Sequence, residues 1–143
     1  MQSHFTAIKC MALMIDILKK EIDFTFEDAV KRVEGACTSE GFGLIVTKDL
    51  DKVFKKNLGV DYSKYTFILA CAPELAKMAL DVSKNVGTLF PCSFVVYEDQ
   101  GKVFVAHTSI MRAASELGLA PADGMAPVIE ETGKRIGKVW EKI

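Results

Sequence analysis

Residues 87–109, GTLFPCSFVVYEDQGKVFVAHTS, decide how this chain folds. Two β-rich runs flank Asp99-Gln100-Gly101-Lys102, where the glycine is free to take the positive φ that a tight turn needs. Phe94, Val96, Val103 and Val105 supply an apolar alternation of period two, the mark of half-buried strands. The stretch therefore predicts a β-hairpin. A hairpin makes its two strands antiparallel neighbours, whereas a pure β-α-β alternation gives parallel ones.

Upstream, residues 67–80 read FILACAPELAKMAL. The run TFILACA (66–72) is nearly all apolar, which predicts a strand covered on both sides and central in its sheet. A helix then opens at Pro73, since proline is favoured where the N–H would lack a partner anyway, and Glu74 suits the positive end of the helix dipole. Further back, residues 14–24 and FGLIVTKDL (42–50) predict strands, with a helix between them. That helix has Thr25 as N-cap, Asp28 three positions on, an apolar face of Phe26, Ala29, Val30, Val33, Ala36 and Cys37, and Gly41 as terminator. Asp49 can cap a short helix ended by Gly59, and VDYSKY (60–65) reads as a loop with two exposed tyrosines. Downstream come a short helix (109–118), a Pro/Gly-rich connection LAPADGMAP (119–127), and an amphipathic helix over 128–143. In that last helix Val128, Ile129, Thr132, Ile136, Val139, Trp140 and Ile143 share a face, weakened by Gly133 and Gly137. The order β-α-β-α-β-α-β-β-α-α predicts an α+β two-layer sandwich: one mostly antiparallel or mixed sheet with helices on one face.

Composition narrows the function classes. The chain has 143 residues, half of them hydrophobic and 26% charged, enough for one compact domain over 14–143 behind an extension at 1–13. Eighteen basic against nineteen acidic residues give a net charge of −1, so no global field favours nucleic acid or an anionic membrane. Lys52, Lys55 and Lys56 form a local basic cluster that reads as a solvated helix face. No apolar run reaches the ~20 residues of a membrane span. Residues 7–18, AIKCMALMIDIL, are short, carry Asp16 and lack a small-residue cleavage site, so they do not read as a secretion signal; the cytoplasm is the expected compartment. Cys10, Cys37, Cys71 and Cys92 are unevenly spaced with no C-x-x-C pair, which predicts free thiols and no metal or cofactor.

Three residues carry chemical possibility. Cys71 lies just ahead of a helix N-terminus, where free N–H groups stabilise a thiolate while Glu74 opposes it. A small buried side chain closing an apolar strand is the favoured reading of Cys71. Cys92 opens the strand after Phe90-Pro91, and it meets Cys71 only if their strands are neighbours in suitable register. His107, at the end of the hairpin, is either a third ligand or general base beside such a thiol, or a surface or satisfied core histidine. No Ser/His/Asp set, paired carboxylates or phosphate loop is present, and EGFG (40–43) reads as a helix end.

Several stretches in fixed order carry a resemblance: EGFG, then Asp49-Leu50 ahead of KKNLGVD, the C-x-P-x-x-A opening at Cys71, and LFPC leading into VVYE. Across residues 15–110 the chain resembles the domain-of-unknown-function 302 family. The resemblance implies a small two-layer α/β domain that pairs into dimers with strands contributing to a shared sheet. It marks Cys71, Pro73, Pro91 and Cys92 as motif positions and assigns none a chemical role. Ala72 departs from the pattern, since relatives often carry asparagine there, so a polar cap is absent. The expected function is a homodimeric module whose cleft near Cys71, Pro73, Pro91 and Cys92 binds a small ligand or a protein partner. The alternative is a thiol-dependent redox enzyme or sulfur carrier, with Cys71 reacting, Cys92 resolving and His107 assisting.

Overall fold

A computed structural model describes residues 17–143. The elements are β1 (Ile17–Ile22), α1 (Phe26–Ser39), β2 (Gly43–Asp49), α2 (Leu50–Leu58), β3 (Tyr65–Cys71), α3 (Pro73–Val82), a 3-10 helix (Lys84–Leu89), β4 (Cys92–Asp99), β5 (Lys102–Thr108), α4 (Ile110–Glu116) and α5 (Ala122–Glu141). Apart from the 3-10 helix, this is the order the sequence predicts. The extension at 1–13, and residues 14–16 of the first predicted strand, lie outside the described residues.

The five strands form one sheet in the order β1-β5-β4-β3-β2, and every neighbouring pair is antiparallel. The hairpin holds: Asp99 pairs with Lys102, and both Gln100 (φ 51°) and Gly101 (φ 78°) take left-handed conformations, as the tightest hairpin turns require. β3 is interior, as its apolar run predicts, while β2 and β1 form the two edges.

Alternation then divides the sheet into two faces. Thr66, Ile68 and Ala70 of β3, Cys92, Phe94 and Val96 of β4, and Val103, Val105 and His107 of β5 are buried beneath the helices. Val33 and Cys37 of α1, Leu75 and Ala79 of α3, and Met125, Val128 and Val139 of α5 complete that core. Full burial of each large apolar side chain contributes about 1.5–3 kcal/mol. The intervening residues, Phe67, Leu69, Val95, Tyr97 and Phe104 among them, are only half-buried on the other face.

Local chemistry explains most boundaries. Thr25 Oγ1 accepts the Asp28 N–H at 3.1 Å and starts α1, while Gly41 (φ 84°) and Gly59 (φ 67°) supply left-handed turns behind α1 and α2. Three expectations need correcting. Asp49 stands at the N-cap of α2 but makes no capping bond; its carboxylate accepts from Thr66 Oγ1 at 2.6 Å and pairs with Lys52 at 3.1 Å. Tyr62 is exposed, yet Tyr65 opens β3 and stacks on Tyr97 across the pair, 5.6 Å between centroids. The last helix begins at Ala122, not Val128, and takes in Gly124 and Pro127. Gly124 is there for close packing: a Cβ would stand 2.9 Å from Val82 Cγ1 of α3. Pro127 forgoes one rung near the helix start without ending it.

Candidate functional site

Cys71 ends β3, Ala72 is the N-cap of α3 without a side-chain bond, and Pro73 is the first helical residue. Cys92 opens β4, directly after the cis Phe90-Pro91 peptide. The two strands are neighbours, and Cys92 lies opposite Ala70, one residue from Cys71. Strand alternation thus puts Cys92 and Ala70 on the helix side and turns Cys71 the other way. Both cysteines, with Phe42, Leu75 and Pro91, border a small apolar cavity of about 20 Å³, room for a single water.

Cys37, Cys71 and Cys92 are all free thiols. Burial pushes the Cys92 thiol up to about 12, with the neighbouring Cys71 adding to it. Cys37, wholly buried on α1, is likewise pushed up to about 12 by burial and then by Cys92. Near neutral pH both stay protonated, the form that is neither nucleophile nor metal ligand. Glu74, in the first turn of α3, forms a 2.8 Å ion pair with Arg135 of α5. Its own backbone N–H, and then that guanidinium, hold its carboxyl below the usual range.

His107 is 4% exposed and belongs to a different place. Its Nδ1 lies 2.8 Å from the Ser93 carbonyl of β4, and its ring stacks on Phe94 at 4.3 Å. A carbonyl only accepts, so Nδ1 carries the proton and, in the neutral ring, Nε2 keeps a lone pair. Burial lowers the histidine's pKa, which favours that neutral ring, although the Ser93 bond pulls the other way. No hydrogen bond joins His107 to a thiol among the described residues.

His107 instead lines a groove of about 420 Å³ between the β1–β5 edge of the sheet and α5. Leu18 of β1, Ser109 and Arg112 at the start of α4, and Thr132, Gly133, Gly137, Trp140 and Glu141 of α5 are among its lining residues. Thr132 is 4% exposed, and its Oγ1 has no hydrogen-bond partner among the described residues. The indole is fixed from behind: Lys20 Nζ donates to the Trp140 carbonyl at 2.7 Å and sits 4.9 Å from the ring centroid. In the sequence alone Thr132 and Trp140 read as core positions and both glycines as helix weakeners. The available hint was their combination, since residues 133 and 137 are one turn apart and share a face.

The basic cluster is partly neutralised, with Lys52 paired to Asp49 and Lys55 to Asp61 at 3.0 Å. Among the described residues no set of three His, Cys, Asp or Glu side chains is placed to hold a metal, and no helix is long and apolar enough to cross a membrane.

A family model described as domain of unknown function DUF302 matches residues 18–143. No curated protein matches. Among solved structures, the crystal structure of uncharacterized conserved protein DUF302 from Bacillus stearothermophilus is similar with a TM-score of 0.78, covering 88% of this chain and 96% of that one. At 17% identity, that likeness is one of fold.

Proposed function

This chain belongs to the DUF302 family, and from that membership we propose that it acts as a homodimeric binding domain, with β2 of two copies pairing into one continuous sheet. The observation carrying this is the character of β2. It is an edge strand whose partner on one side is β3 and whose other side pairs with no strand among the described residues. Leu44, Ile45 and Val46 are consecutive, apolar and 40%, 58% and 39% exposed, with a register shift between Leu44 and Val46. Open edges of this kind template pairing with another chain, and a twofold pairing of identical edges closes on itself. The half-buried face beside it extends the apolar surface that a second copy covers.

The thiol alternative has less support, because burial keeps Cys92 protonated near neutral pH although Cys71 lies beside it. Sedimentation equilibrium tests the dimer. The full chain is expected at twice 15.7 kDa in the micromolar range, and Ile45→Lys at the single-chain mass with an unchanged circular-dichroism spectrum. A single-chain mass for the unaltered protein, or a dimer that persists in both Ile45→Lys and Val46→Lys, overturns this reading.

A further inference from the structure

We propose that the groove beside His107 is a binding site for a small, mainly apolar ring compound carrying a hydroxyl group. This rests on the binding-domain reading and adds a ligand class to it, at a place remote from β2.

Three independent features converge. First, the space has been left open by sequence. A Cβ built on Gly133 or Gly137 meets no atom within 4 Å, so the glycines relieve no clash, although glycine inside a helix is unfavourable. Second, most of the wall suits a ring: Leu18, Ile129, Ile136 and the braced Trp140 are apolar beside the charged Arg112 and Glu141, and a volume of about 420 Å³ falls within the range of small-molecule sites. Third, the groove is bordered by one buried hydroxyl without a partner among the described residues and by a histidine ring nitrogen able to accept. The Ser93 bond at Nδ1 leaves His107 Nε2 as an acceptor, and Thr132 Oγ1 is bonded to nothing among the described residues. A buried polar group ordinarily finds a hydrogen bond, and a buried threonine that has none asks for an occupant. One hydroxyl answers both: its O–H donates to Nε2, and its oxygen accepts the proton of Thr132 Oγ1. Thr132 also borders the small cavity at Cys71 and Cys92, but that cavity has room only for a water.

The test uses the full chain with p-cresol and its methyl ether, 4-methylanisole, which keeps the ring and loses the donor. Ligand-observed saturation-transfer NMR is expected to show p-cresol bound, and 4-methylanisole about tenfold weaker, the size of one lost hydrogen bond. Trp140, the only tryptophan in the chain, reports binding at this place by a change in emission. Thr132→Val is expected to raise the melting temperature, because it removes an unpaired hydroxyl, and to weaken p-cresol about tenfold. Thr132→Ser restores binding, and Gly133→Leu fills the groove and abolishes it while the circular-dichroism spectrum is retained. Equal binding of the two compounds, no transfer from either at millimolar concentration, or unchanged p-cresol binding in Thr132→Val overturns the proposal. Sedimentation on the same sample reads the dimer separately, so the two ideas fail independently.

Discussion

His107 shows what a single side chain contributes when its surroundings fix its protonation. The Ser93 carbonyl accepts a hydrogen bond from Nδ1–H, Phe94 stacks on the ring, and burial lowers the pKa from its ordinary 6.5. An unfolded histidine therefore binds a proton more readily than the folded one. Stability from this residue is complete above about pH 6.5 and is lost as pH falls from there toward the lowered folded value. Urea denaturation at pH 7.5 and 5.0 is expected to show a loss of stability on acidification that shrinks in His107→Gln, which itself loses about 1 kcal/mol at pH 7.5 with the Ser93 bond. An identical pH dependence in both proteins contradicts the assignment. The sequence offered His107 only as a strand-end candidate. Whether it faced a thiol or the Ser93 carbonyl depended on cross-strand register, which no local pattern encodes. Thr132 was less legible still, because a threonine at helical spacing among valines and isoleucines reads as packing until its hydroxyl is seen to lack a partner.

Elements were more readable than sites, because turn chemistry and periodicity are local. The β4–β5 hairpin followed from alternation and Gly101, and α1 from Thr25, Asp28 and Gly41, all of which the structure bears out. The start of α5 was misread, since Gly124 and Pro127 look like breakers when the chain is read alone. Gly124 answers instead to Val82 on α3, a contact that exists only in the folded molecule. The glycines of α5 consequently differ in sign. Gly133→Ala and Gly137→Ala are each expected to raise stability by about 1 kcal/mol, because each gains helix propensity in open space. Gly124→Ala is expected to lower it, because its Cβ meets Val82. Denaturant titration of the three variants checks this, and a loss in either of the first two shows that the groove wall does not tolerate a methyl group.

At the scale of the whole molecule, sheet order was the least legible feature. The α+β class followed from element order, but nothing local predicts that β1 pairs with β5 or that β2 is left as an apolar edge. That arrangement sets the account of function. It leaves Leu44, Ile45 and Val46 exposed, encloses Cys37 and Cys92 in the core, and places a groove at His107, away from the motif cysteines. In the proposed binding domain the cysteines serve packing. Alkylation of the native full chain as a function of pH, mapped to each cysteine by mass spectrometry, tests it most directly. Cys37 and Cys92 are expected to stay unlabelled from pH 6 to 9 until the chain is denatured, and Cys71 to label no faster in the native chain than in the denatured one. Rapid labelling of Cys71 or Cys92 in the native chain at pH 6–7 would contradict the account and favour a thiol enzyme.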